Sequence, residues 1–527
     1  LSFSISDASM IDPRKLTDGQ LQQAAAEEVL HGNAEEAAVF LREAAGRYPG
    51  NVEVLLGLVD SCFKAGLDEE AAGWVRRLQE LGKGQPGVLD ALGERLQSLD
   101  RIDLALETFG RLGGFAAAEV RAVGKAREAM LHLRCGRGGE ARAAVEDALR
   151  LGAHLPEVMS AQARVIRGED PAGAVEILRK LAIPGGRIPL PFTISSGHTL
   201  AAVLDEMGEY DEAFEVLGRA KGLLAGHPMA VRFRAERGVW RRWHEEACEF
   251  SREEAGEWAA AEPVAGCEGH AFLLGHPRSG TTLLEQMLDA HPEVASVEEA
   301  PVYATRVDAA LVRAHREAGV AEGFAEWVRG MPEEGLGVYR RRYLEELERL
   351  AGGRNPEGVL MDKNPGLSIS VGRLVRTMPH SRVVYMIRDP RDVCLSACFQ
   401  DVLLTPWSSN WLTLGEAVEQ CCFTLDLWLR VRPKMVQPWM EVRYEDLIAA
   451  PVAVGRRVTA FLGKEWVTAQ EDPAGHARGK FVRSPTHEAV MRPIHGGAIG
   501  RWRRYERYFE PYRARLAPYL EAFGYGE

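Results

Sequence analysis

A short segment recurs along the first half of the 527-residue chain and narrows its possible folds more than any other feature. Each copy has a small turn residue, acidic residues soon after, and then alanine: Gly32 to Ala37, Gly66 to Ala71, Asp100 to Ala105, Gly136 to Ala141, Gly168 to Ala174 and Gly208 to Ala213. Successive terminal alanines lie 34, 34, 36, 33 and 39 residues apart. A repeat of that length holds two helices and a turn, and one copy cannot bury its apolar face alone, so copies stack. Glycine turns the chain, acidic residues suit the first turn of the next helix, and alanine lets paired helices approach closely. Pro49, Pro86, Pro156 and Pro228 fall near repeat ends, where a helix must stop. Residues 1–240 thus predict an α-helical solenoid, a scaffold that carries no chemistry by itself.

The stretch 271–294, AFLLGHPRSGTTLLEQMLDAHPEV, reads differently. The apolar run 271–274 suits a buried strand. The loop Gly275, His276, Pro277, Arg278, Ser279, Gly280 then opens an apolar-periodic helix from about Thr281. Backbone donors and the positive end of the helix dipole make such a loop a phosphate cradle. The glycines have the spacing of G-x-x-x-x-G-K-[ST], but Thr281 stands where lysine should and Thr282 follows it. The cation is Arg278, inside the loop. A nucleotide anion still suits this loop, whereas ATP cleavage is disfavoured without the lysine.

Further strands are expected at 294–297, 358–361, 382–387 and 439–444, with helices starting near Ser368, Asp392 and Leu414 and a helix-rich run over 305–350. Alternating strand and helix implies a parallel sheet covered on both faces, with ligands at the strands' C-terminal ends. The polar motifs fall at such ends: Glu298 and Glu299, Lys363, and Arg388. A segment rich in Trp and charge, 239–258, closes the solenoid, and 259–268 serves as linker. The expected domains are therefore 1–240, 241–268 and 269–527.

Composition excludes several classes. The chain is 46 % hydrophobic and 27 % charged, with a formal charge of −12, which argues against general nucleic-acid binding. No apolar run approaches the ~20 residues that span a bilayer. The first residues lack a basic region followed by an apolar core, so no signal peptide is visible, although a removed leader would leave the same sequence. The eight scattered cysteines form no C-x-x-C pair, and reduced thiols in a cytoplasm are expected.

Together these motifs resemble tetratricopeptide-repeat-containing sulfotransferases that use 3′-phosphoadenosine 5′-phosphosulfate (PAPS), with a catalytic half similar to tyrosylprotein sulfotransferases. The resemblance runs through PRSGTTLL, MLDAHPEV and the Glu298-Glu299 pair, and resumes at VVYMIRDPRDVCLSACF, where Ser396 lies eight residues after Arg388. It covers about 269 to the C-terminus. The implied fold is α plus α/β: an N-terminal TPR-like solenoid followed by a P-loop-like α/β sulfotransferase domain with a central parallel sheet.

The same resemblance implies roles. Pro277, Arg278, Ser279, Gly280, Thr281 and Thr282 would hold the 5′-phosphosulfate; Arg388 and Ser396 would hold the 3′-phosphate. Alone, Arg388 could instead pair with Asp389 or Asp392. Glu299 is the implied base, with Glu298 its competitor, and Lys363 the implied electrophile at the bridging oxygen, oriented by Asp362. Thr486 or Ser484 would donate to the phosphosulfate, and Arg501 would approach the 3′-phosphate. Tyr444 matches a tyrosine near the nucleotide or else caps a core strand, and Arg492 serves either the nucleotide or an acidic acceptor. The soluble small-molecule enzymes use a histidine base, but none stands in the matching frame; His276 lies within the loop, and His487 and His495 lie near the C-terminus. No metal is implied.

The acceptor is expected to be a protein or peptide tyrosine docked by the repeats, with a carbohydrate, lipid or small metabolite as the alternative. The repeats could equally drive homodimerisation or serve as a rigid spacer. A nucleotide kinase and an inactive scaffold are the rivals from other classes.

Overall fold

The computed structural model describes residues 12–30, 34–184, 188–266, 269–352, 358–401, 404–478 and 490–526. The chain divides into two compact units, Leu1–Phe192 and Thr193–Glu527.

In the first unit helix follows helix, from Asp18–Leu30 and Ala34–Arg47 to Pro156–Ile166 and Pro171–Leu181. The repeat alanines Ala37, Ala71, Ala105, Ala141 and Ala174 have 0 % exposure, so each sits where a larger side chain would push paired helices apart. Gly66 and Gly136 end their helices at φ 76° and 71°, the left-handed region that a Cβ disfavours. Asp100 holds the equivalent place at φ 62°. Leu55, Leu58, Val59, Leu78, Leu92 and Phe109 join neighbouring repeats in one continuous core. Ion pairs about a repeat apart, Arg42 with Glu70 at 2.6 Å and Arg127 with Asp90 at 2.9 Å, lie over that core at partly exposed positions where each adds little.

The second unit is built on five parallel strands: β1 (His270–Gly275), β2 (Val294–Glu298), β3 (Val359–Lys363), β4 (Arg382–Ile387) and β5 (Trp439–Arg443), in spatial order β2-β3-β1-β4-β5. Every residue of β1 is buried, as a strand covered on both faces must be. Ala271 and Leu273 face Leu284, Met287, Met361 and Val384 on one side. His270 and Phe272 face the helix Glu333–Leu350 through Tyr343 on the other. The chain leaves β1 toward β2 on one side and returns from β3 to β4 on the other, so the loop after β1 lies at the point where strand order reverses, the usual ligand crevice of such sheets.

The sequence boundary at 240 and the observed division at 192/193 differ for a physical reason. Repeat-like helices continue through Tyr210–Ala225 and Pro228–Glu246, and Ala213 is as buried as its five predecessors. Their other faces, however, are covered by elements of the α/β fold. Lys221 Nζ donates to the Trp411 carbonyl at 2.8 Å, Arg234 forks onto Glu416 at 2.8 and 3.0 Å, and Phe214 stacks on Tyr508. No helix among the described residues is long and apolar enough to cross a membrane.

Candidate active site

The loop between β1 and the helix Thr281–Asp289 is tight. Ser279 N donates to the His276 carbonyl at 3.0 Å, and Arg278 and Gly280 both take left-handed backbones, at φ 79° and 100°. At Gly280 only glycine fits: a Cβ there would fall 2.3 Å from the Tyr444 ring. Ser368, just beyond β3, clamps the loop's start, accepting from Gly275 N and donating to Gly275 O, each at 2.8 Å. Thr281 and Thr282 are buried at the helix N-terminus, where backbone N–H groups have no intrahelical partner. Ser279 Oγ is buried with no hydrogen-bond partner among the described residues.

Two arginines converge on this loop. Arg278 Nε donates to Ser396 Oγ at 3.1 Å, from the loop to the helix Pro390–Cys398. Arg388, just past β4, donates to the Arg278 carbonyl at 3.0 Å and to the Ala498 carbonyl, and its guanidinium lies 4.8 Å over the Tyr444 ring. Neither arginine forms an ion pair among the described residues. The acids near Arg388 are engaged elsewhere: Asp389 holds Arg391 at 2.9 Å, while Asp392 accepts from Gly500 N at 2.6 Å and Trp502 N at 2.8 Å. Burial, and then the charge of Arg388, push the Arg278 guanidinium down to about 10, so it remains a cation at neutral pH.

Beside the loop, at the ends of β2 and β3, lies the ionic centre. Glu298 and Lys363 are register partners, and Glu299 N donates to Lys363 O at 2.8 Å. Lys363 is fully buried, its Nζ 2.7 Å from Glu299 Oε1, 3.0 Å from Glu298 Oε1 and 3.4 Å from Thr282 Oγ1. Burial disfavours the ammonium, but the charges of Glu299, Glu285 and Glu298 outweigh it and leave Lys363 above its ordinary range. The Glu299 side chain is 34 % exposed and that of Glu298 only 8 %, so Glu299 is the carboxylate that solutes can reach. Glu299 also takes φ 49°, a strained backbone for a residue with a Cβ.

Asp362 does not orient Lys363, because adjacent residues of a strand face opposite sides of the sheet. Its Oδ2 accepts from Tyr343 OH at 2.8 Å, and Tyr343 OH lies 3.0 Å from His270 Nε2. Burial is the largest influence at both ends of this chain of contacts: it pushes Asp362 up to about 7 and His270 down to about 3.

The remaining candidates separate. Tyr444 begins the helix Tyr444–Ala449 and packs its ring between Gly280 and Arg388. Arg501 pairs with Asp205 at 3.0 Å and lies 4.5 Å over the Phe399 ring; its charge also reaches Arg278. Pro277 is partly exposed, Arg492 and His495 are exposed, and His276 is buried against its own loop with Nδ1 2.6 Å from Pro277 O. Ser484, Thr486 and His487 lie outside the described residues. The residues that sequence reading missed are Ser368 and Glu285, both fully buried. No group of three or more metal-type side chains among the described residues is placed to hold an ion.

Residues 271–468 match the family model described as the sulfotransferase family, and residues 29–94 match that of the tetratricopeptide repeat. The chain is 30 % identical over 250 residues to protein-tyrosine sulfotransferase 2 of Gallus gallus, covering 44 % of this chain and 62 % of the relative. It is 24 % identical over 339 residues to an uncharacterized protein of Aquifex aeolicus, covering 62 % of this chain and 41 % of that one. The chain thus spans about two to three fifths of the length of these curated relatives. A solved sulfotransferase domain from the Synechococcus PCC 7002 olefin synthase is 23 % identical, covering 44 % of this chain and 86 % of that one at a TM-score of 0.31.

Proposed function

Proceeding from a sulfotransferase-family domain over residues 271–468, we propose that this chain moves a sulfuryl group from PAPS to an acceptor hydroxyl, with a peptide or protein tyrosine as acceptor. The observation that carries the reading is the convergence of Arg278 and Arg388 on one loop with no ion pair among the described residues. Two guanidiniums at one loop, without carboxylate partners among the described residues, suit an anion with two separate phosphate groups. The donor fits the residues present: Ser279 Oγ and Arg388 Nε are buried without partners among the described residues, and the free amides of the helix N-terminus adjoin them.

In this reading Arg278, Ser279, Gly280, Thr281 and Thr282 hold the 5′-phosphosulfate, with Pro277 shaping the loop. Arg388 and Ser396 hold the 3′-phosphate, which Arg501 approaches; Tyr444 packs beside Arg388, and Arg492 serves either the nucleotide or an acidic acceptor. When bound, the donor supplies a sulfuryl group whose bond to the phosphate oxygen breaks, with its electron pair, as the bond to the acceptor oxygen forms. Glu299 is the base, since it is the exposed carboxylate of the pair and an acceptor's proton has to reach it. Lys363 donates to the departing oxygen, its charge maintained by the surrounding carboxylates. The tyrosyl acceptor is supported by the name of the Gallus gallus relative, and docking of a peptide by the repeat model over 29–94.

Calorimetric titration with adenosine 3′,5′-bisphosphate beside ATP with magnesium tests the reading. Tight binding of the bisphosphate, followed by sulfate transfer to acidic tyrosine peptides, is the expected result. Preference for ATP would overturn it in favour of a kinase. Bisphosphate binding with transfer only to carbohydrate or small-molecule hydroxyls would keep the donor and replace the acceptor.

A further inference from the structure

Asp205 stands in the last turn of the helix Leu190–Met207, where the negative end of the helix dipole disfavours a carboxylate, and its side chain is only 12 % exposed. A charge so placed needs donors, and both of its oxygens find them on one segment far along the chain. Oδ2 pairs with Arg501 Nη2 at 3.0 Å, and Oδ1 accepts from Tyr505 OH at 2.6 Å. Arg501 and Tyr505 are the two ends of a single 3-10 helix, so one carboxylate fastens the whole of it. All three residues belong to the second unit.

The same segment reaches the candidate site from its other end. The Ala498 carbonyl accepts from Arg388, and Gly500 N and Trp502 N donate to Asp392, on the helix that carries Ser396. Between these anchorages Gly500 turns the chain at φ 68°. Phe399, just past that helix, packs against both ends of the 3-10 helix: the Arg501 guanidinium lies 4.5 Å over its ring, and Tyr505 meets it edge-on at 5.5 Å. Residues 498–505 thus form a strap, tied to Arg388 and Asp392 on one side and to Asp205 on the other. Arg388 donates to two carbonyls, those of Arg278 and Ala498, so a strap free to move would take away one of the supports that aim its guanidinium. Resting on the donor reading of this site, we propose that Asp205 is a positioning residue: by holding Arg501 it fixes the strap against Arg388, and so makes a repeat-like helix part of the support for the nucleotide's 3′-phosphate.

The test is calorimetric titration of the full chain with adenosine 3′,5′-bisphosphate and, separately, with adenosine 5′-monophosphate. It compares the parent with Asp205→Asn, Arg501→Gln and the double variant. Asp205→Asn is expected to weaken bisphosphate binding about 5- to 20-fold, the loss of a charge-assisted contact, and to change monophosphate binding less than about twofold. Asp205→Glu should recover part of the loss. Asparagine still accepts from Tyr505, so in the Arg501→Gln background the same change should cost no more than about a further twofold. Tyr505→Phe removes the other contact and keeps the charge pair; it should give a smaller loss, about two- to fivefold, again for the bisphosphate alone, and it carries the test if Asp205→Asn does not fold. An unchanged or tighter bisphosphate affinity, an equal loss for both nucleotides, or losses that multiply independently in the double variant would overturn the proposal and leave the donor reading standing. Failure of the donor reading looks different: a parent chain that binds the two nucleotides equally has no 3′-phosphate site, and the proposal falls with it.

Discussion

Glu299 and Lys363 hold each other twice: the Glu299 amide donates to the Lys363 carbonyl at 2.8 Å, and the Lys363 ammonium sits 2.7 Å from the Glu299 carboxylate. The first contact extends the β2–β3 ladder one residue past the strand end, and the second uses that extension to fix an acid beside a buried base. The left-handed backbone of Glu299 turns its side chain out of the strand line at this point. Strain at one residue is thereby balanced by an ionic contact at the same residue.

The two acids of the pair should therefore separate on substitution. Glu299→Gln is expected to lower kcat by about 10²- to 10⁴-fold, the range of a lost general base, while bisphosphate affinity stays near that of the parent. Glu298→Gln, at a side chain only 8 % exposed, should retain measurable turnover and lose stability instead. Steady-state kinetics beside calorimetry decides this; normal turnover in Glu299→Gln would remove it as base.

Arg278 and Arg388 meet at the loop from different elements, and the loss of either should weaken nucleotide binding. Arg278→Ala removes a cation and its bond to Ser396, so both bisphosphate binding and transfer should fall. Arg388→Ala also frees the Arg278 carbonyl and the face of Tyr444. Each is expected to weaken bisphosphate binding by about 1.5–3 kcal/mol, the contribution of a charge-assisted bond, and to flatten its salt dependence. Unchanged affinity in either variant would dissociate that arginine from the nucleotide.

What could be read beforehand follows the range of the interaction. The loop after β1 is local: two glycines five apart, an arginine between them and hydroxyls after them all lie within eight residues. Arg388 and Ser396 are eight residues apart on a strand end and the next helix, so they too are legible. The pairing of Lys363 with Glu298 needs the β2–β3 register, which joins residues 65 apart. In sequence Asp392 reads as a possible partner for Arg388, yet it ties down a backbone more than 100 residues on. Two signals are present and easily passed over. Strand alternation already turns Asp362 away from Lys363, and helical periodicity already sets Glu285 beneath Thr282. The repeat pattern likewise runs on to Ala213, but periodicity marks which face is apolar without naming what covers it.

The buried chain of Asp362, Tyr343 and His270 gives a pH signature. Asp362 has a folded value of about 7 against an ordinary 3.8, so between about pH 4 and 7 the folded chain holds a proton that the unfolded chain has lost. Stability from this group is present below pH 4 and is lost as pH rises toward 7, to the extent of about 4 kcal/mol. His270, held down to about 3, has the opposite sign: its contribution is present above pH 6.5 and is lost as pH falls toward 3. The two slopes offset each other between about pH 4 and 6.5. Asp362→Asn leaves only the histidine's slope, so its gain in Tm over the parent should be larger at pH 8 than at pH 4.5. An equal difference at both pH values would show that Asp362 is ionised throughout.

Asp100 offers a test confined to the first unit. It takes the left-handed position that Gly66 and Gly136 fill in neighbouring repeats, and its backbone N–H donates to the Gln97 carbonyl at 3.2 Å. An L-residue pays roughly 1–2 kcal/mol for that conformation, less for Asp, whose short side chain bonds locally. Asp100→Gly should therefore stabilise the unit by about 0.5–1 kcal/mol despite the added freedom of the unfolded chain, and Gly136→Ala should destabilise it by a similar amount. Both changes lie far from the loop residues in sequence, and turnover should stay at the parent's level. Urea unfolding of the full chain reads both signs; a loss of stability in Asp100→Gly would mean that the aspartate's side-chain contact, and not the turn conformation, holds this repeat together.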